Sequence, residues 1–342
     1  MATPLPEAAV PDDNAIAGGL FDAIQTASLK LTTLLNLAPD GSLPLAGWIN
    51  QFVRGWLVPN FRPTFRAMQW PVAQVLNWFE AALQAIPVSV FIALSAILIW
   101  RCVSRGMMIF TALSLGLIAW LNIWAPTMTT LAMVLTAVFF CALIGIPLGI
   151  LAARSDRFSE ILRPTLDVMQ TIPSFVYLVP IVMLFGVGLV PGVIATIVFA
   201  LPPVTRLTNL GIRQVDRELV EAAYAFGSTR LQVLTEVQLP QATRTIMAGM
   251  NQTLMMSLSM VVVAAMIGAG GLGLTVYTGL GRLDVGAATV GGIGIVLIAI
   301  ILDRFTQALA DPKTHRKGTW TFRGCLQRLF APQAREAGAS AP

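Results

Sequence analysis

The sequence predicts an all-α, polytopic membrane protein with about seven transmembrane helices. Of its 342 residues 56% are hydrophobic and only 11% are charged, and the mean hydropathy of +0.75 lies far from that of ordinary soluble chains. A span needs about 20 apolar residues, each rising about 1.5 Å. Charge-free stretches of about this length or more occupy residues 81–100, 106–153, 168–205, 245–281 and 285–302.

Three of these stretches are too long for one span, and each contains helix-breaking residues. Residues 122–126 divide the first and residues 186–191 divide the second, while six glycines within 268–281 end the third span early. Seven helices result. The glycine-rich segment is open to two readings, a re-entrant gate or a flexible outer loop, and Arg282 and Asp284 could form an exposed ion pair beside it.

Basic residues are concentrated on one side of the predicted spans. Segments 101–105, 154–163, 206–244 and 304–342 carry 2, 3, 5 and 7 Lys or Arg residues, whereas the opposite loops carry only Arg282. Cytoplasmic loops are enriched in Lys and Arg, so these four segments are predicted to be cytoplasmic. An odd number of spans then places the N-terminus outside and the C-terminus in the cytoplasm.

The chain is predicted to have four parts. Residues 1–44 form a partly disordered tail, 45–85 form amphipathic helices on the outer membrane surface, 86–310 form the transmembrane domain with an inner loop at 207–243, and 311–342 form a cytoplasmic tail.

The amphipathic part rests on a helical repeat of apolar residues. Tryptophans also recur along it, as expected of an interfacial segment. A helix packed against the bundle is an equally good reading. The apolar face consists of Val72, Val75, Leu76, Phe79, Leu83 and Ile86, the polar face of Gln74, Asn77, Glu80 and Gln84, and the tryptophans are Trp48, Trp56, Trp70 and Trp78.

The residues that most chemistry requires are scarce in this sequence. His315 is the one histidine, and none of the three lysines follows a glycine-rich phosphate loop. We therefore expect no catalytic residues, no metal site and no cofactor bound by this chain, so that energy from ATP must arrive through a partner. The basic residues are dispersed around spans without stacking aromatics, which argues against nucleic acid as a partner.

One polar segment, EAAYAFGSTRLQVLTEVQLP at residues 221–240, interrupts the hydrophobic chain. Asp216 can cap a short helix that runs to about Phe226 and that Gly227 ends in a left-handed conformation. Ala222 and Ala223 give this helix a low-relief surface.

A second helix is predicted to begin at Thr229, which stands in capping-box spacing with Gln232. It is predicted to stop at Pro240, where the chain enters a membrane helix. Helices this short are marginal alone in water, so docking on a partner is expected to stabilise them. The alternative is an inner loop packed on its own bundle.

This segment resembles the EAA loop of ABC-importer permeases. The resemblance includes the nine residues between the glycine and the aliphatic position. It implies a type I ABC-importer permease fold in which the first short helix, the coupling helix, docks in a groove of a cytoplasmic ATPase. The matching residues are Glu221, Ala222, Ala223, Gly227, Val237, Leu239 and Pro240.

A narrower resemblance covers about residues 85–310. It rests on MQTIPSFVYLVPIVMLFGVG at 169–188, FALPPVTRLTNLGI at 199–212, MAGMNQTLMMSLSMVV at 247–262 and GLGRLDVGAATVGGIGIVLIAIILDR at 279–304. Together these look like the ProW-type permeases of glycine betaine/proline betaine importers. The family implies a bacterial inner-membrane homodimer with two ATPase subunits that bind Mg-ATP and an extracytoplasmic substrate-binding protein.

A betaine is a quaternary ammonium with a carboxylate, and aromatic faces suit its cation because it has no N–H to donate. Candidate path residues are Ser174, Phe175 and Tyr177 beside a helix-breaking proline, and Asn251, Ser257 and Ser259 among several methionines. The alternative is structural: aromatic and methionine side chains fill gaps, and Asn and Ser join helices by hydrogen bonds.

Other functions stay open at this point. The same fold could carry choline, carnitine or an amino acid, because nothing in the spans specifies the ligand. From different classes, an ATP-independent channel, an osmosensing scaffold or an intramembrane enzyme would each be active without the ATPase.

Overall fold

The computed structural model describes residues 47–48 and 51–310, and these contain helices and no strand. The predicted tail at 1–44 and the predicted C-terminal tail at 311–342 lie outside the described residues. The chain divides into two units, Met1–Arg62 and Pro63–Pro342. In the first unit a π-helical segment, Gln51–Leu57, stacks the rings of Phe52 and Trp56 with centroids 5.2 Å apart.

Eleven helices follow within the described residues. α9 begins with the turn Arg230–Gln232, continues as the π-helical segment Val233–Gln238 and ends as Leu239–Ala265. The helices are α1 (Val58–Ala85), α2 (Val88–Cys102), α3 (Arg105–Trp120), α4 (Trp124–Arg154), α5 (Asp156–Thr171), α6 (Ser174–Phe185), α7 (Leu189–Arg213), α8 (Arg217–Ala225), α9 (Arg230–Ala265), α10 (Leu272–Gly281) and α11 (Val285–Ala310).

Five of the seven predicted spans each correspond to one helix, whereas the predicted spans at 81–100 and 168–185 each contain a sharp bend between two helices. Among the described residues, α4, α7, α9 and α11 are long and apolar enough to cross a membrane unaided. Two bent pairs raise the number to six: Ala67–Ala85 meets Val88–Arg101 at 103°, and α5 meets α6 at 100°. α3 is a shorter apolar helix. The all-α, polytopic class is confirmed.

The centre of the bundle is α7, against which α4 and α9 pack at small residues. A Cβ added at Gly149 of α4 would lie 2.5 Å from Cβ of Thr208, and one at Gly249 of α9 would lie 3.0 Å from Cβ of Leu207. Gly145, one turn before Gly149, also faces α7. Small residues at this spacing let helix backbones approach closely, which is the usual basis of helix association in membranes.

Neighbouring helices also donate hydrogen bonds to carbonyl groups of α7 near its internal Pro202 and Pro203. The Thr253 hydroxyl donates to the Ala200 carbonyl at 3.0 Å, and the Cys141 thiol donates to the Ile197 carbonyl at 3.6 Å. These two bonds attach α4 and α9 to the backbone of α7 just before its two prolines.

Over residues 63–85, the apolar face of α1 packs on the bundle. Val72 and Leu76 are buried in the same core cluster as residues of α4 and α7, and the Thr129 hydroxyl donates to Glu80 Oε1 at 2.9 Å. Trp70 and Trp78 are exposed on the same helix. Here the structure shows the bundle-packed arrangement that the sequence leaves as one of two readings.

The glycine-rich segment is not a flexible loop. After Ala265 the chain turns through Gly271 and forms α10, and the buried Leu272 donates its N–H to the Thr130 hydroxyl of α4 at 2.8 Å. Asp284 does not pair with Arg282 among the ion pairs of the described residues; it accepts the Ala287 N–H at 3.0 Å and so caps α11. The helix backbone holds the Ala287 N–H in place as a donor for this carboxylate, whereas the side chain of Arg282 is exposed.

We predict that Gly273→Ala destabilises the protein, because a Cβ there would meet the Val261 carbonyl oxygen at 2.3 Å and backbone cannot easily yield. Overpacking of this kind costs about 1–3 kcal/mol. Gly281→Ala at the end of the same helix is the control, since nothing lies within 4 Å of its added Cβ. Thermal unfolding in detergent measures both variants, and equal melting temperatures would contradict the packing described.

Candidate functional site

Residues 216–240, here called the EAA segment, form the helical loop between α7 and the membrane part of α9. The Asp216 carboxylate accepts the Glu218 N–H at 3.0 Å and caps α8. Gly227 follows α8 with a φ of 84°, a left-handed conformation that favours glycine. The N–H groups of Gly227 and Ser228 donate to the carbonyls of Tyr224 and Ala223 at 2.9 and 3.1 Å. These two bonds form a Schellman motif, so the predicted helix and its end are both confirmed.

The predicted capping box at the start of α9 is also present. The Gln232 N–H donates to Thr229 Oγ1 at 3.4 Å, and the Thr229 N–H donates to Gln232 Oε1 at 2.8 Å. The predicted entry into a membrane helix at Pro240 is confirmed, because this proline lies in the first turn of Leu239–Ala265. The second short helix does not stop there, since α9 continues through this residue as one helix. The π-helical segment Val233–Gln238 immediately before it changes the hydrogen-bond register, which accommodates a residue that lacks an N–H.

The matched residues of the EAA segment divide between an exposed and a packed group. Glu221, Ala222 and Pro240 are exposed, whereas Ala223 and Leu239 are half-buried. Leu239 packs in a cluster with Ile212, Leu234, Ala242 and Ile246, which fixes the start of the membrane part of α9 to the end of α7.

Large apolar side chains are exposed on the EAA segment, outside the predicted spans. The side chain of Phe226 is 91% exposed, and those of Leu219, Tyr224 and Leu231 are also exposed. Exposed apolar residues that lipid cannot cover mark interaction surfaces. The prediction based on alanines missed Phe226, although a large aromatic residue next to a helix-ending glycine in a loop predicted to be cytoplasmic was a usable signal.

A cavity of about 190 Å³ separates α8 from the bundle. It is lined by the polar side chains of Arg213, Arg217, Glu221 and Gln238, together with apolar residues of α4 and α7. Glu221 therefore stands at the edge where α8 meets the bundle, and the exposed surface of the segment also includes Ala222 and Phe226.

Three polar contacts join α5 to the second half of α7, and no pattern in the sequence predicted them. Arg206 pairs with Asp167 at 2.5 Å, and Arg213 pairs with Asp156 at 2.7 Å. Between these ion pairs, Asn209 donates to the Ser159 hydroxyl at 3.3 Å. Arg206, Arg213, Asp167, Asn209 and Ser159 line a cavity of about 360 Å³.

The aromatic candidates for a substrate path lie at the bend between α5 and α6. Ser174 and Tyr177 are half-buried and Phe175 is exposed. The Tyr177 hydroxyl donates to the carbonyls of Val168 and Met169, so this side chain ties the end of α5 to α6. The structure brings these three residues together at one end of α6.

The candidates on α9 have different surroundings. The Asn251 amide donates to Asp303 Oδ1 at 2.9 Å, and its carbonyl oxygen accepts the Thr306 hydroxyl at 2.6 Å, so Asn251 joins α9 to α11. Ser257 is buried and bonds within its own helix. Ser259 is exposed. For Asn251 the structure shows the helix-joining arrangement that the sequence leaves as an alternative.

One exposed stripe runs along α9. Its members recur three, four or seven residues apart and therefore share one face of the helix. Within the apolar span, the stripe contains uncharged polar and thioether side chains. One of them is Gln252, which was not among the residues predicted to line a path. Its residues are Gln241, Arg244, Ala248, Gln252, Met255, Ser259 and Met266.

No group of three or more His, Cys, Asp or Glu side chains suited to a metal ion occurs among residues 51–310 of the structure. The single histidine, His315, lies outside the described residues.

Comparisons with known proteins agree with this architecture. Residues 145–315 match the family model described as "Binding-protein-dependent transport system inner membrane component". The chain is 52% identical over 291 residues to the glycine betaine/proline betaine transport system permease protein ProW of Escherichia coli (strain K12), covering 85% of this chain and 82% of that protein.

A second relative is the glycine betaine/carnitine transport permease protein GbuB of Listeria monocytogenes serotype 1/2a (strain 10403S). It is 48% identical over 273 residues, covering 78% of this chain and 95% of that protein. Among solved structures, an inward-facing MetNI methionine ABC transporter matches with a TM-score of 0.47 and 25% identity over 56% of this chain and 93% of that one.

The family model covers half of the chain, and the two relatives are 52% and 48% identical to it over 85% and 78% of its length. The family consists of transport components, not enzymes. The chain belongs to the family of binding-protein-dependent transport system inner membrane components, as a multi-pass permease subunit of the inner membrane.

Proposed function

We propose that this chain is the transmembrane subunit of an ATP-driven importer for glycine betaine/proline betaine-like quaternary ammonium osmoprotectants. The observation that carries the proposal is the EAA segment, a doubly capped helical loop with exposed apolar side chains, in a chain without a nucleotide-binding motif. The names of the two relatives supply the solute class.

ATP and Mg²⁺ bind to a separate cytoplasmic ATPase subunit in this proposal, and the chain itself binds no cofactor. α8 is the coupling helix. Its exposed surface, with Ala222 and Phe226, docks in a groove of the ATPase, while Ala223 and Leu239 hold the segment to the bundle. Glu221 and Gly227 set its position and its end, so closure of the ATPase dimer moves the inner ends of α7 and α9.

Two copies of the chain, two ATPase subunits and an extracytoplasmic substrate-binding protein make up the complete importer. The support for a second copy is the exposed stripe of α9, because lipid tails offer no hydrogen bonds to the amide of Gln252. Two such stripes enclose a polar path, whereas the other exposed apolar faces contact lipid. The bias of basic residues orients the N-terminus outside and the C-terminus in the cytoplasm.

Solute contacts in this path are weak, because tight binding would slow release. The amide of Gln252 can donate to the carboxylate of a betaine, and the rings of Phe175 and Tyr177 suit its cation. Ser174 lies beside these rings. The Ser259 hydroxyl can donate to the carboxylate only by giving up its bond to the Met255 carbonyl, which is 3.1 Å long in the structure. Ser257 and Asn251 support the helices that carry the path and do not contact solute.

Reconstitution in proteoliposomes tests the proposal. The chain, its ATPase and its binding protein should accumulate glycine betaine and proline betaine only with ATP, and the chain alone should accumulate neither. Choline, carnitine and amino acids form the comparison panel; carnitine is the second candidate, because one relative is named for its transport. Uphill uptake or ion currents through the chain alone would contradict the proposal and favour a channel.

We predict that Phe226→Ala weakens retention of the ATPase subunit, because buried aromatic anchors at interfaces contribute about 2 kcal/mol or more. Leu283→Ala is the matched control: its side chain is 88% exposed, against 91% for Phe226, but lies in the loop before α11 at the other end of the bundle. Co-purification of the ATPase with each variant is the measurement. Equal retention would remove Phe226 from the docking surface.

Adjacent residues of α9 provide a second test. Gln252→Leu should raise the KM for uptake and leave thermal stability unchanged, because Gln252 is exposed on the path. Asn251→Leu should lower stability by about 1 kcal/mol per lost bond, because it joins α9 to α11. Uptake kinetics and thermal unfolding in detergent are measured for both. Unaltered kinetics in Gln252→Leu would exclude this stripe from the path.

A further inference from the structure

Arg213, the last residue of α7, holds the ends of three helices together. Its Nη1 donates to Asp156 Oδ1 at 2.7 Å in the first turn of α5, and its Nη2 donates to the Ala152 carbonyl at 2.7 Å in the last turn of α4. Its Nε donates to Asn209 Oδ1 of α7 at 2.8 Å. One guanidinium therefore bonds to groups on α4, α5 and α7.

The bond from Arg213 to α4 gives the Ala152 carbonyl a donor that α4 itself does not provide. The last four carbonyls of a helix lack partners within it, and the buried Ala152 is the third residue from the end of α4. A planar guanidinium can donate in several fixed directions at once, whereas the ammonium of a lysine is a point charge. Arginine is therefore the residue that suits this junction.

The junction lies against the EAA segment. Arg213 lines the 190 Å³ cavity together with Arg217, Glu221 and Gln238. The end of α4 is also held on the other side of α8, where Arg154 Nη2 donates to the Arg230 carbonyl at the start of α9 at 3.3 Å. α4 is thus bonded to Arg213, three residues before the EAA segment, and to Arg230 in the middle of that segment.

Stability is a poor explanation for the ion pair within this junction. The side chain of Asp156 is 82% exposed, and exposed ion pairs contribute little to stability. What the contacts fix is geometry, the position of α4 and α5 relative to the end of α7.

A second ion pair on the same helices supplies the comparison. Arg206 and Asp167 also join α7 to α5, at 2.5 Å and seven residues earlier on α7. Arg206 lines the 360 Å³ cavity between these helices but not the cavity beside the EAA segment. Both arginines therefore pair with an aspartate and join α7 to α5. Only Arg213 also bonds to α4 and lines the cavity beside the EAA segment.

We propose that Arg213 is a positioning residue for transport, which transmits movement of the EAA segment to α4 and α5 and, across the bend at Pro173, to α6. The inference rests on the proposed function. Arg213 contacts neither solute nor nucleotide; it acts by holding the end of α7 as one rigid junction with its neighbours.

The test uses the complete importer, with ATPase and binding protein, in proteoliposomes. Solute transported per ATP hydrolysed is measured for Arg213→Gln and for the matched control Arg206→Gln. Residues that transmit coupling alter it by about 0.5–2 kcal/mol, which corresponds to a loss of about twofold to thirtyfold. We expect that loss for Arg213→Gln, an intermediate value for Arg213→Lys and a near wild-type ratio for Arg206→Gln.

The distance between α5 and α8 provides a second test, in variants that remove only some of the bonds made by Arg213. Spin labels at the exposed positions 160 and 218 report the separation of α5 and α8 and leave Ala222 and Phe226 of the docking surface unlabelled. This separation should stay constant on ATP binding in the wild type and change in Arg213→Lys and Asp156→Asn, which remove only part of the junction.

Two results would overturn the inference: equal losses for Arg213→Gln and Arg206→Gln, or a separation that changes in the wild type. Either would leave the proposed function intact as long as the wild type shows ATP-dependent uptake. A wild type without such uptake would instead refute the proposed function.

Discussion

The close approach of α4 and α9 to α7 is the constraint on which the rest of the structure depends. Glycines at 145, 149 and 249 remove the side chains that would separate the backbones. Lipid tails are as apolar as leucine, so helices in a membrane associate by close packing and hydrogen bonds more than by hydrophobic burial. These three helices therefore form a stiff core, and the EAA segment is the connection between two of them.

In the mechanism that we propose, this rigidity allows a short loop to move a membrane bundle. α8 is only nine residues long and none of its residues is buried, so its position depends on what it joins. Packing of Leu239 and the bonds of Arg213 and Arg154 tie both ends of the segment to the core. A force on α8 then moves whole helices, because tightly packed interiors transmit displacement rather than absorb it.

Local chemistry made much of this structure predictable. Charge-free stretches located the apolar helices, and the Asp216 cap, the Gly227 turn and the Thr229–Gln232 box were readable because each depends on residues a few positions apart. Contacts between distant residues were not readable. The bond between Asn251 and Asp303, 52 residues apart, and the ordered α10 both depend on tertiary packing. Pro240 indicated the start of the membrane helix but not the absence of a break before it, because the π-helical segment Val233–Gln238 continues directly into that helix.

The central claim is that force from a nucleotide-hydrolysing partner enters this bundle through α8. The most direct measurement is disulfide or bifunctional cross-linking from a cysteine at position 222 to the ATPase subunit, in membranes that contain the complete importer. We predict a cross-link whose yield changes with nucleotide, and none from a cysteine at exposed position 283. A complex that transports solute while position 222 remains uncross-linked and freely accessible to water-soluble reagents would contradict the claim.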